Sequence, residues 1–163
     1  MCAVTLQPRR WVYQDRMRYS RYAIGSLACL MIACSSDRVV APRLVTIDGI
    51  PYRGQASLNR DFMPFAPPDG EPLTLGIRIF TADSSAIPSS VTADSAWVYN
   101  GNAVWRTAVV AGEPRNTSSF DVGAVGGPKW GPGIEVDVVV RLRDGAGHSF
   151  LLQAPRQLIT RSD

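Results

Sequence analysis

The residues best suited to nucleophilic or acid–base chemistry are few and lie apart. His148 is the only histidine in the 163-residue chain, and it stands beside Ser149 after the glycine-rich stretch 144–147. A serine hydrolase needs a serine, a histidine and a carboxylate held together. Its frequent G-x-S-x-G turn does not occur in the sequence. We therefore predict no catalytic residue, and we expect His148 to face solvent after a hairpin turn.

Metal and nucleotide sites are not indicated either. One histidine cannot supply the several nitrogen or sulfur ligands of a zinc or copper site. Two acidic pairs occur, and neither fits a calcium-binding loop: Asp69 with Glu71, and Glu135 with Asp137. Lys129, the only lysine, lies in the glycine-rich segment 123–133, but no G-K-[S/T] sequence follows. The sequence predicts no cofactor, and the composition of segment 123–133 favours a loop between strands.

Four aromatic residues are the candidates for ligand contact: Trp97, Tyr99, Trp105 and Trp130. The turn signal at 100–102 predicts a β-hairpin between Trp97 and Trp105. A three-residue loop over 100–102 would place Trp97 opposite Trp105 on one side of the sheet. A two-residue turn over 100–101 would place Trp97 opposite Val104 and move Trp105 to the other side. Exposed rings would form a platform for a glycan or peptide, whereas core packing is the ordinary role of such rings.

Charge excludes nucleic acid as a partner. The whole chain has a formal charge of +3, but five arginines and one aspartate precede Cys34 and give that part +4. The residues from Cys34 onward contain 12 basic and 13 acidic side chains, a net charge of −1. Nucleic-acid binding requires a basic surface, which this part lacks. The three cysteines, Cys2, Cys29 and Cys34, also lie early, so no disulfide framework is expected beyond them.

The beginning of the chain has the pattern of an export signal. Arginines precede an apolar run of eleven residues, Ala23–Ala33. This run is too short for a bilayer-spanning helix, which needs about 20 residues, and it fits the core of a signal peptide. Met17 could start a compact signal, so we expect residues 1–16 to be a misassigned extension and 17–33 to be the signal helix.

The run ends with the sequence Leu30-Met31-Ile32-Ala33-Cys34. This ending resembles the lipobox of bacterial lipoproteins, with looser residues at 31 and 32. The resemblance implies acylation of Cys34, cleavage before it, and anchoring in a membrane of the bacterial envelope. Serines follow Cys34 instead of a retention aspartate, which favours the outer membrane. Cys29 is a second choice, and without lipidation the protein would be secreted in soluble form.

After a predicted tether over 34–43, residues 44–163 show the two-residue period of β-strands. Glycine and proline turn signals separate the predicted strands. These are 45–47, 52–58, 73–80, 96–99, 103–110, 118–125, 134–143, 149–153 and 157–160. No apolar stripe of helical period follows the leader. The pattern predicts one all-β domain, an antiparallel sandwich or barrel.

Two features resemble immunoglobulin-like and fibronectin type III-like domains. Trp97 is similar to their core tryptophan, and the stretch Trp130–Leu152 resembles their last hairpin. The resemblance implies an immunoglobulin-like antiparallel β-sandwich behind the signal helix. Paired cysteines and the usual corner tyrosine are absent, since Val136 and Val138 occupy that region.

These observations predict a lipid-anchored envelope protein that is not an enzyme. Its β-sandwich would bind or space an envelope protein or glycan at the membrane surface. Two alternatives remain at this point. A carbohydrate-binding module would require exposed, coplanar tryptophans. An envelope hydrolase would require acidic or serine side chains converging on His148.

Overall fold

The computed structural model describes residues 38–112 and 116–163. These residues form β-strands and no helix, so within these two ranges no helix could cross a bilayer. The predicted extension 1–16, the signal helix over 17–33 and the lipidation site Cys34 lie outside the described residues. The predicted all-β class is confirmed.

Nine strands make up the described fold. They are β1 (Val45–Ile47), β2 (Ile50–Asp61), β3 (Leu73–Thr81), β4 (Thr92–Asn100), β5 (Ala103–Ala108), β6 (Val110–Ala111), β7 (Ser119–Gly127), β8 (Glu135–Arg143) and β9 (Ser149–Ser162). Each predicted strand has a counterpart. The strand predicted over 103–110 is divided at Val109, and those predicted over 149–153 and 157–160 are one strand. The strands predicted over 52–58 and 96–99 extend further, to 50–61 and 92–100.

The strands form a nearly closed, barrel-like sheet. Their order is β5-β4-β8-β9-β2-β3-β7-β6, with β1 paired to β2. Neighbouring strands run antiparallel with one exception, because β2 and β9 run parallel. The prediction of a purely antiparallel arrangement is therefore wrong at this one pair. The exception arises because β9 leaves the edge of β8 and continues beside β2.

Strand β9 connects the two halves of the sheet. Its first part pairs with β8, up to Leu158 opposite Glu135, with an irregular register between Val136 and Val138. Its last part pairs with β2, from Ile159 opposite Leu58 to the strand end. Pro155 lies in that irregular stretch, between Ala154 and Gln157, where the ladder is interrupted and the N–H that proline lacks is not needed.

Strict alternation builds the core. In β3 the inward residues Leu73, Leu75, Ile77 and Ile79 are buried, whereas the intervening residues are more accessible. The inner sides of both halves contribute to one main core cluster. Its largest fully buried members are Tyr52, Ile47, Leu58, Leu73, Leu75, Ile77, Ile79, Leu142, Leu152, Ile159, Val91 and Val98.

The sheet stays open along one seam, between β5 and β7. The chain itself crosses this gap after β5. Val109 donates its N–H to the carbonyl of Asp94 in β4 at 3.1 Å, and the next two residues pair with β7 as β6. Because β6 has only two residues, it pairs only with Val122 and Gly123, and no other described strand pairs with β7 on that side. The Trp105 ring packs there against Gly127, where an added Cβ would lie 2.7 Å from the ring.

Replacing Gly127 with alanine tests this packing. The methyl group would overlap the Trp105 ring and also approach the Leu73 Cβ to 2.9 Å. Overpacking of a closed core costs about 1–3 kcal/mol, so we expect Gly127→Ala to lower the free energy of unfolding by that amount. Urea unfolding measures the difference.

Gly131→Ala is the matched control, since nothing lies within 4 Å of its added Cβ. That variant should match the parent or exceed it slightly. Equal unfolding free energies for the two variants would contradict the proposed contact.

Candidate binding surfaces

The β4–β5 hairpin decides where two of the predicted aromatic residues point. Asn100 pairs with Ala103, so the turn consists of Gly101 and Asn102, and Gly101 has φ +57°. Trp97 therefore lies opposite Arg106, and Val98 lies opposite Trp105. Neither of the two predicted registers occurs. Trp97 and Trp105 nevertheless lie on opposite faces, as the two-residue alternative predicted.

The four predicted contact residues divide into two groups. Trp97 and Tyr99 belong to a small cluster on the outer face of β4 and β8, while Trp105 and Trp130 pack against the main core. The resemblance of Trp97 to a core tryptophan is therefore wrong, because its neighbours Ala96 and Val98 occupy the inward positions. Within the described ranges, Trp97, Trp105 and Trp130 do not form an exposed coplanar platform.

The outer-face cluster is covered by the first described residues. Val39 and Ala41 pack on Tyr99, Val139 and Leu151. The Val39 N–H donates to the Tyr99 hydroxyl at 3.0 Å. A second bond holds the same segment, from the Gln153 N–H to the Pro42 carbonyl at 2.8 Å. The predicted tether of residues 34–43 thus includes, from residue 38 onward, chain that is packed on the domain.

Ion pairs reinforce this junction at Asp137. Arg38 donates to the Asp137 carboxylate, and Arg156 donates to it at 3.2 Å. Hydrogen bonds from Arg156, offset in part by burial and aided by the charge of Arg38, lower the pKa of Asp137 below its usual value. Arg38 also lies over the Tyr99 ring, 5.3 Å from its centre. The Arg38 side chain therefore contacts both β4 and β8.

A second cluster, of one carboxylate and two arginines, lies toward the other end of the outer face of β4 and β8. Asp94 accepts from Arg141 at 2.7 Å and also from Arg143. Burial alone would raise the pKa of Asp94, but hydrogen bonds from the two arginines and Ser95 outweigh it and lower the pKa to about 2. Arg141 also lies 6.0 Å from the centre of the Trp97 ring. The polar groups around Trp97 are thus engaged with one another.

Trp130 is fixed by a buried arginine. The Arg60 side chain is only 4% exposed and donates to carbonyl oxygens of two loops. Its acceptors are the carbonyls of Glu71 at 2.9 Å, Lys129 at 3.2 Å, Trp130 at 3.4 Å, and Asp69. The Lys129 ammonium also pairs with the Asp69 carboxylate at 2.7 Å. The glycine-rich segment around Trp130 is therefore tied to the β2–β3 loop.

His148 lies on the β8–β9 hairpin with its side chain exposed. Its Nδ1 contacts the Asp144 carboxylate at 2.7 Å, and its backbone N–H donates to the same side chain at 2.8 Å. The hydrogen bond from His148 lowers the pKa of Asp144. Ser149 pairs across the ladder with Arg143, so these contacts close a hairpin. In the described part of the chain, no group of three metal-ligating side chains comes together.

A groove that sequence reasoning missed lies where β2 and β9 diverge. Its volume is about 460 Å³. Arg43, Leu44, Arg53, Gly54, Gln55, Phe80, Pro155 and Gln157 line it. No local pattern identifies such a groove, because its walls come from four separate stretches of chain.

Comparison with known proteins gives no family for this chain. Neither the protein-family models nor the curated proteins that were searched include a match.

Replacing Asp94 with asparagine tests the charged cluster beside Trp97. Because the pKa of Asp94 is about 2 in the folded protein and 3.8 for a free aspartate side chain, its stabilising effect is fully present above about pH 4. It is lost as the pH falls through about 2. Allowing for partial exposure, Asp94→Asn should cost about 1 kcal/mol at pH 7 and progressively less below pH 4.

Chemical denaturation at several pH values measures this difference. Asp121→Asn is the control, because Asp121 has a single, more exposed arginine partner, Arg78. It should cost less than Asp94→Asn at neutral pH. A penalty for Asp94→Asn that does not change with pH would mean that ionisation of Asp94 is not its source.

Proposed function

We propose that this chain is an exported, lipid-anchored protein of the bacterial cell envelope, with the outer membrane favoured as the anchoring membrane. Its domain is an immunoglobulin-like β-sandwich that acts as a binding or structural module and not as an enzyme. It would meet an envelope protein or glycan at the membrane surface. The lipid on Cys34 would hold the domain there.

The observation that carries this proposal is the junction at Arg38. Only three residues separate Cys34 from Arg38, and Arg38 already contacts Asp137 and the Tyr99 ring of the domain. An extended chain advances at most about 3.6 Å per residue, so Arg38 cannot lie more than about 15 Å from Cys34. An acylated Cys34 would therefore keep the domain close to the membrane surface, as a display module requires.

The strand order supports the immunoglobulin-like topology. In such domains strands A, B, E and D form one sheet and strands C, F and G the other, with C′ added in variable-type domains. Taking β2 as A makes β3, β4, β5, β6, β7, β8 and β9 correspond to B, C, C′, D, E, F and G. The order β2-β3-β7-β6 then corresponds to A-B-E-D, and β9-β8-β4-β5 corresponds to G-F-C-C′. Here β2 also pairs with β9, which joins the two sheets.

The electrostatics favour a non-enzymatic role. A general acid working near neutral pH needs a carboxyl group whose pKa is raised. The carboxyls of Asp94, Asp137 and Asp144 instead have lowered pKa values, because arginine or histidine side chains donate to them. These three carboxylates serve ion pairs and a hairpin. The separation of Trp97 from Trp105 and Trp130 likewise weighs against a glycan platform built from tryptophans.

Replacing Cys34 with alanine tests the anchor. Cys34→Ala should abolish acylation and signal cleavage, so the protein should accumulate as the longer precursor. Membrane fractionation with mass spectrometry of the N-terminal peptide measures both effects. For the parent protein we expect a new N-terminus at an acylated Cys34.

Cys29→Ala is the matched control, since Cys29 lies in the same apolar run but ends a poorer lipobox. It should leave processing and membrane association unchanged. Loss of acylation in Cys29→Ala alone would assign the anchor to Cys29. Normal acylation and processing in both variants would overturn the lipoprotein assignment.

A further inference from the structure

We propose that the groove between β2 and β9 binds a phosphate group, and that its natural source is an anionic phospholipid of the anchoring membrane. This inference goes beyond display of the domain. The anion site itself stands on the groove, whereas the choice of a membrane phosphate rests on the proposed lipid anchor.

The groove exists because β2 and β9 are paired over only part of their length. β2 and β9 are paired from Leu58 and Ile159 to their ends, but their earlier parts pair with β3 and β8 instead. Gly54 lines the groove and contributes no side chain to it, while Arg53 and Gln55 on either side of it are exposed. A concave site therefore lies between β2 and β9 as the domain is folded.

The charges of this groove are not neutralised by the domain. Arg43 and Arg53 both line it, and no carboxylate does. Within residues 38–112 and 116–163, neither guanidinium has a hydrogen-bonding or ion-pair partner. Most other arginines of the described ranges are engaged: Arg38, Arg78, Arg141, Arg143, Arg156 and Arg161 with carboxylates, and Arg60 with carbonyls.

A neighbouring groove shows the difference. On the outer face of β2, β3 and β7, a groove of about 410 Å³ contains Arg78 and also Asp121. Arg78 donates to Asp121 through two nitrogens, at 2.8 and 2.9 Å, so its guanidinium is already occupied. The groove beside Arg43 and Arg53 offers two unoccupied guanidinium groups instead.

The remaining lining indicates what the anion is attached to. Guanidinium groups bind phosphate or carboxylate with paired hydrogen bonds. The Gln55 amide can donate to further oxygens, as can the second N–H of the Gln157 amide, whose nitrogen already donates to the Pro155 carbonyl at 3.2 Å. Leu44 and Phe80 add apolar surface. A phosphate diester with a polar headgroup and an apolar body matches this set of donors and apolar contacts.

The spacing to the anchor permits a membrane phosphate to reach the site. Arg43 follows Cys34 by nine residues, which span at most about 32 Å. Arginines near an anionic bilayer each strengthen binding about fivefold, and the effect weakens with salt. Two unpaired arginines at one groove would thus orient the anchored domain toward the lipid surface.

The test uses the processed chain from residue 34 with Cys34→Ser, which removes the anchor and leaves the described fold intact. Binding is measured by co-sedimentation with vesicles of phosphatidylcholine alone or with one-third phosphatidylglycerol. Binding of soluble glycerol phosphate is followed by NMR shifts. The variants are Arg43→Ser, Arg53→Ser and the double substitution, each checked for unchanged thermal unfolding.

Arg106→Ser is the matched control, because Arg106 is exposed and has no carboxylate partner in the described part of the chain, yet lies on β5 in the other half of the sheet. We expect preference for anionic vesicles, about a fivefold loss for each groove substitution, and little loss for Arg106→Ser. Equal losses of vesicle binding for the substitutions of Arg43, Arg53 and Arg106 would mean that only net charge matters. That result would overturn the proposed phosphate site.

The two ligand sources give different results. Glycerol phosphate binding that requires Arg43 and Arg53, without vesicle binding, would keep the anion site and assign it to a soluble phosphate. Failure with both probes would overturn the inference. Neither result changes the acylation outcome for Cys34, so the proposed anchor and this site fail separately.

Discussion

The hydrogen-bonded ladder shared by β9 with both β8 and β2 is the constraint on which the fold depends. Because one strand serves both halves, the inner faces of the two halves enclose a single core. The same sharing creates the groove, since β9 must leave β2 where it joins β8. A feature needed for closure therefore also produces the concavity beside Arg43 and Arg53.

Many polar side chains of the described residues are organised in local clusters of ion pairs and hydrogen bonds. Asp94 and Asp137 hold arginines on the outer face, and Arg60 holds two loops through their carbonyls. Partly exposed ion pairs such as those of Asp94 contribute little stability one at a time, but they fix side-chain positions. Two groove-lining guanidinium groups without a partner among the described residues, Arg43 and Arg53, are therefore more informative than the tryptophans.

Alternation was sufficient to find the strands, because one buried face imposes a two-residue period on Leu73–Ile79 and Val136–Leu142. Alternation could not determine the register or the pairing partners of the strands. The hairpin turn lies at Gly101-Asn102, one residue later than the predicted two-residue turn, which sets the residue opposite Trp97. Trp97 faces outward because Ala96 and Val98 take the buried positions of β4. Neither the continuity of β9 through Pro155 nor the groove is encoded locally, since both depend on strands distant in sequence. The candidate site was therefore missed, while the exposed position of His148 was predicted correctly.

The pairing of β2 with β9 also sets an order of events. Residues 58–61 cannot pair with β9 until residues 159–162 are present, about a hundred positions later. Contacts so distant along the chain make folding slow, on the scale of milliseconds to seconds. An emerging chain would therefore lack this pairing until residues 159–162 had been synthesised. Delayed closure of this kind would suit the export that we propose, because a translocation channel passes a polypeptide before it folds.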